Sequence, residues 1–152
     1  MGDNTGVTLL ELVVALTVGG ILMGIAVNAY GGAQGRSALR SAESSFLSMH
    51  AQTRASAVER GERVRLVVDS GNDRVSIVAG TLDDPITLRT QNFLEAFGTV
   101  VRSVPELVEL CMTPRGFAEL GCNSFSSEAT IAFARGGQER EVRILPLGQV
   151  AR

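Results

Sequence analysis

Lysine is absent from this 152-residue chain, tryptophan is absent too, and there are a single histidine, His50, and two cysteines, Cys111 and Cys122. Each shortage closes off a class of chemistry. One histidine and no usable cysteine nucleophile remove the commonest catalytic triads and dyads. The same lone histidine, with no Cys-x-x-Cys pair, leaves too few soft ligands for a zinc site, so no metal and no cofactor are expected. Gly31-Gly32-Ala33-Gln34-Gly35 is not a phosphate loop, because it follows a helical pattern and lacks the Lys-Ser/Thr end. Glu106 and Glu109 are spaced to serve as acid and base, but carboxylates near a strand edge are ordinarily solvated. All fourteen basic residues are arginine, which a base-composition bias explains more simply than a demand for bidentate contacts. A formal charge of −2 excludes bulk electrostatic attraction to polyanions.

Charge is missing over one long interval as well. After Glu11 the next charged residue is Arg36. From Leu12 to Val27 the chain is apolar apart from Thr17, Gly19, Gly20 and Gly24. Counted from Val7, the run is long enough to cross a hydrocarbon core of about 30 Å as a helix. A mean hydropathy of +0.19 reflects this segment rather than a greasy domain. Glu11 is the unusual member, because a carboxylate within a spanning helix is costly and marks a functional position. The nearest new cation would be an α-amino group, created if the chain were cut just before Val7.

Gly6 followed by Val7-Thr8-Leu9-Leu10-Glu11 and an apolar run resembles the prepilin signature of type IV pilins and type II secretion pseudopilins. The resemblance implies cleavage by a prepilin peptidase between Gly6 and Val7 and N-methylation of Val7. It also implies an assembly role for Glu11, which would neutralise the amino terminus of a neighbouring subunit. Val7 stands where the family usually has phenylalanine. The leader contains Asp3 and no basic residue, whereas family leaders are usually basic, and Arg36 and Arg40 lie beyond the apolar run. Charge bias alone would therefore orient the segment the other way. Either the natural start lies upstream or recognition of the cleavage site overrides the bias. An ordinary secretory signal would want a basic n-region and a shorter apolar core.

Roughly 120 residues follow the apolar run, enough for one domain with its own core. Gly20 and Gly24 form a small-residue pair that would let another helix approach. At Gly31 to Gly35 the helix either continues, weakened, or breaks briefly. From Ser37 to about Arg60 the period is helical again, with Leu39, Ala42, Phe46, Met49, Thr53 and Ala57 on one stripe and His50 beside it. Gly61 ends the helix. Strands are expected at Arg63 to Val68 and Arg74 to Ala79 around the turn Asp69-Ser70-Gly71-Asn72-Asp73, whose Asp, Asn and Gly suit a turn better than a calcium loop. Further strands are expected at Ile86 to Thr90, Phe97 to Val104, Leu107 to Met112, Ala129 to Ala134 and Arg140 to Leu145. The last two would form a hairpin across Arg135-Gly136-Gly137-Gln138.

Arg54-Ala55-Ser56-Ala57-Val58 at the helix end, the turn Pro114-Arg115-Gly116, and a closing strand leading into Pro146-Leu147-Gly148-Gln149-Val150 resemble minor pseudopilin H and the FimT/FimU-type minor pilins. The implied fold is α+β and pilin-like, a long N-terminal helix, membrane-spanning in its first half, packed on an antiparallel β-sheet head. The expected layout is a leader at 1–6, a transmembrane helix at 7–30 and a periplasmic domain at 31–152. That domain divides into an amphipathic helix at about 37–60 and a β-rich head at about 62–152. In such an envelope protein Cys111 and Cys122 suit a disulfide, two unrelated buried thiols being the alternative. The expected role is that of a structural subunit at the tip or initiation point of a type II secretion pseudopilus, single-pass in the inner membrane. Its partners would be other pseudopilins or pilins, the prepilin peptidase and secreted proteins. The alternative is a minor pilin acting in pilus assembly or DNA uptake. DNA is disfavoured, because Glu139, Glu141 and Arg143 should share one strand face while Arg140 lies on the other.

Overall fold

The computed structural model describes residues 8–151, with no side-chain account of residues 25–31. One helix, α1 (Leu9–Arg60), precedes a series of antiparallel strands: β1 (Val64–Asp69), β2 (Arg74–Gly80), β3 (Pro85–Asn92), β4 (Val100–Val104), β5 (Leu107–Met112), β6 (Ala129–Arg135), β7 (Gln138–Ile144) and β8 (Val150–Ala151). A short second helix, α2 (Phe93–Phe97), stands between β3 and β4. The chain forms two compact units, one up to Gln34 and one from Gly35 onward.

The helix continues through Gly31 to Gly35 without a break. It ends where Gly61 takes φ +65°, a left-handed conformation that glycine adopts without steric penalty. Leu39, Ala42, Phe46, Met49, Thr53 and Ala57 are all buried, so the three- and four-residue spacing read from the sequence is the core stripe.

The strands form two four-stranded sheets, one in the order β3-β2-β1-β5 and the other in the order β4-β6-β7-β8. In β1, Val64, Leu66 and Val68 face the core, and in β5 Val108, Leu110 and Met112 do the same. Phe46 of α1 meets Phe133 of β6 at 5.7 Å between ring centroids, and Phe133 stacks on Phe93 of α2 at 5.3 Å. These rings tie the helix, the second sheet and α2 into one hydrophobic cluster.

Turn chemistry sets the hairpins. Asp69 caps the 3-10 turn Ser70–Asn72 by accepting the Asn72 amide, and Asp73 takes φ +50°. At the β6–β7 turn Gly136 and Gly137 sit at φ +57° and +78°, the paired positive φ that a two-residue hairpin loop needs. Phe97 does not begin a strand. The Asn92 side chain caps the Glu95 amide at 2.9 Å and Gly98 closes the turn at φ +63°, so Phe93–Phe97 is helical and β4 starts at Val100.

Candidate assembly site

Glu11 lies in the first turn of α1 and is exposed. Its amide donates to the Thr8 hydroxyl at 3.2 Å. Thr8-Leu9-Leu10-Glu11 therefore has the spacing of a capping box, in which the threonine oxygen satisfies a backbone donor that the helix leaves orphaned. The same residues serve two ends: the hydroxyl fixes where the helix starts, and the start fixes Glu11 one turn in. The Gly6–Val7 bond and the Val7 amino group lie outside the described residues.

Past Glu11 the helix is apolar on every side. Leu12, Val13 and Val14 are consecutive, so they point in three directions around the axis, and each is about half exposed. Leu16, Ile21 and Met23 are more exposed still. The one hydroxyl in this part, on Thr17, turns back to the Val13 and Val14 carbonyls and shows no polar group outward. A surface of this kind suits lipid or other helices rather than water. Among the described residues no helix is long and apolar enough to cross a membrane. The apolar side chains described after the helix start run from Leu9 to Gly24, sixteen residues where a span takes about 20. The sequence itself continues apolar through Ile25, Ala26 and Val27.

In the head, Cys111 and Cys122 are joined by a disulfide. It closes a strap along the otherwise open edge of β5. Glu109 donates its amide to the Ser124 hydroxyl at 2.8 Å, Ser124 donates its own amide to the Glu109 carbonyl at 3.0 Å, and the Cys111 amide donates to Asn123 at 2.9 Å. An open row of backbone groups is thereby covered, which guards against edge-to-edge pairing.

Two polar contacts fix α1 to the second sheet, and neither has a local signature in the sequence. Glu43, beside the helical stripe and nearly buried, pairs with Arg140 of β7 at 2.9 Å. Arg54 donates to the Gly148 carbonyl at 3.0 Å, holding the β7–β8 turn against the helix. His50 is buried beside them, its Nε2 without a partner among the described residues. Burial, and next the Arg54 charge, hold its imidazole below the ordinary histidine value, so it is the neutral form that packs here.

Among the described residues the arginines near the C-terminus do not form a free cationic patch. Arg140 is engaged by Glu43, and Arg135 donates to the Phe97 carbonyl. Glu139, Glu141 and Arg143 are exposed on the face opposite Val142 and Ile144. Glu106 and Glu109 stand on opposite sides of the start of β5, exposed and half-buried respectively, and the cysteine two residues beyond Glu109, Cys111, is held in the disulfide. Among the described residues no group of His, Cys, Asp and Glu could hold a metal ion.

A family model described as the prokaryotic N-terminal methylation motif matches residues 1–27. Two crystal structures of the Pseudomonas aeruginosa (strain PAO1) type IV minor pilin FimU have a similar fold. The form in space group P21 aligns with TM-score 0.60 and 20% identity over 76% of this chain and 88% of FimU; the form in P65 gives 0.56 and 20% over 74% and 90%. No curated protein matches the chain in sequence. The chain thus carries the N-terminal methylation motif of prepilins and, behind it, a pilin-like α+β fold.

Proposed function

We propose that this pilin-like chain is a minor structural subunit of a type IV pilus-like filament, held in the inner membrane by its N-terminal helix until assembly. The observation that carries the reading is the conjunction of a methylation motif, an acid one turn inside α1, and a pilin-like head. The prepilin peptidase would cut after Gly6 and methylate Val7. Glu11 would then meet the amino group of a neighbouring subunit, a pairing that offsets the cost of holding either charge alone among apolar helices. The proposed role is structural rather than enzymatic, in keeping with the pilin-like fold.

Within this reading the machine is a type II secretion pseudopilus, the chain sitting at its tip or initiation point and its head meeting partner pseudopilins or exported proteins. The fold match to a minor pilin favours a second reading equally, a subunit of a type IV pilus. A DNA-capturing role gains no support from the head, where Arg135 and Arg140 are already occupied.

The deciding experiment compares the proteins in culture medium from wild type and a strain lacking this gene. Loss of a defined set of exported proteins, restored by the intact gene, is expected for the pseudopilus. An unchanged profile together with lost surface motility moves the chain to a pilus, and no change in either would overturn the filament reading.

A further inference from the structure

Arg36 and Arg40 stand on the side of the apolar run where charge bias disfavours them, and the fold does not explain them by pairing. They lie one helical turn apart on α1 and both are exposed. No ion pair holds either of them among the described residues. Like charges at positions i and i+4 repel, so the two arginines mildly destabilise the helix that carries them. An anion set between them would turn that repulsion into attraction.

Both arginines line a concavity of 320 Å³ between α1 and the start of β7, completed by Leu39, Gln138, Glu139 and Arg140. The β6–β7 turn closes on the helix here: a Cβ on Gly35 would stand 3.5 Å from Gln138 Oε1. Of the charges in the lining, Arg140 is already paired with Glu43 at 2.9 Å. Glu139 is exposed and makes no ion pair among the described residues. Arg36 and Arg40 against Glu139 leave a single positive charge in excess.

We propose that this concavity binds the phosphodiester of a membrane phospholipid, whose two free oxygens accept from Arg36 and Arg40. A phosphodiester carries one negative charge, which matches the excess; a phosphate dianion or a nucleic acid would bring more and meet Glu139. A carboxylate would satisfy the charge equally well, and the place along the chain selects the lipid. Arg36 is the first charged residue after Glu11, and the only tyrosine, Tyr30, stands six positions before it. Tyrosine is favoured at the headgroup level of a bilayer. Six helical residues span about 9 Å, and headgroups extend about 5–7 Å beyond the hydrocarbon. Helical side chains lean toward the helix N-terminus, so the long arginine stems reach back over the difference. The inference rests on the membrane reading proposed above. It adds a tether that would hold the head at the bilayer surface until the chain is drawn into a filament.

The test is native mass spectrometry of the full-length chain, freed from membranes in mild detergent. It is supplied with phosphatidylglycerol, or with diacylglycerol of the same acyl chains, which lacks the phosphodiester. The chain should retain phosphatidylglycerol and not diacylglycerol, and inorganic phosphate at the same concentration should not displace it. Retention should fall about tenfold or more when Arg36→Gln and Arg40→Gln are combined. Both are surface residues, and an unchanged urea midpoint would show that the double variant folds. Arg115→Gln, in the turn whose Gly116 lies against Val58 near the other end of α1, should leave retention unchanged. Undiminished retention in the double variant, an equal loss in Arg115→Gln, equal retention of diacylglycerol, or displacement by inorganic phosphate would overturn the site. Sedimentation of the chain with membranes judges the membrane reading separately. A membrane-bound chain that fails the lipid test sinks this site alone, and a chain found outside the membrane sinks both.

Discussion

Single residues carry charges into places where water is scarce, and each sets a measurable dependence. Glu43 is 6% exposed and pairs with Arg140. Arg140→Ala should cost the head about 1.5–3 kcal/mol, the range for hydrogen bonds to charged groups, read as a lower urea midpoint with unchanged slope. His50 gives a pH dependence whose sign follows from its lowered value. The unfolded chain takes up a proton near 6.5 while the folded head resists it until lower pH. Stability is therefore full above that ordinary value, falls as the pH drops below it, and levels off once the folded imidazole also protonates. Urea melts at about pH 7.5 and about pH 5.5 should show this loss, and His50→Gln should flatten it. A slope that survives in His50→Gln would assign the effect elsewhere. Neither contact was legible in the sequence. Glu43 and Arg54 read as polar residues off the stripe, and only the path of β7 and its following turn brings Arg140 and Gly148 to them.

At the scale of elements, what the sequence showed and what it hid divide by the range of the interaction. The core stripe of α1, the ending at Gly61 and the paired glycines of the β6–β7 turn are local rules, and they were readable. The α2 helix was readable in principle. Asn92, Glu95 and Gly98 are its cap, first-turn acid and stop, but five residues between two strands are too few for a period to outweigh a β-branched surround. The partition into two sheets, with β5 returning beside β1 and β6 beside β4, is a long-range choice with no local signature. The disulfide strap is likewise tertiary in effect. Its Cys111–Cys122 link spans eleven positions, so replacing both cysteines by serine should cost about 3 kcal/mol on a chain-entropy basis. Because the strap covers the β5 edge, the Glu109 and Cys111 amides should also exchange hydrogen faster in that variant. Unchanged exchange there would mean that the strap holds without its bridge.

The whole molecule joins a head with an ordinary core to a helix whose first part is apolar on all sides. Such a surface is stable in a bilayer or among like helices, and the passage from one to the other is what a filament subunit must make. Glu11 is the residue that would distinguish the two settings, since a carboxylate gains a partner only when a neighbour's amino terminus arrives. The motif behind this proposal is legible at the outset, because a glycine, Thr-Leu-x-Glu and a long uncharged run are contiguous. The most direct measurement quantifies the chain in sheared filaments and in membranes, from wild type and from Glu11→Ala, with mass spectrometry of its N-terminus. The account predicts a filament-borne chain beginning at N-methylated Val7 in the wild type, and a cleaved chain retained in the membrane in the variant. Equal incorporation of Glu11→Ala, or a chain that never enters the filament fraction, would contradict it.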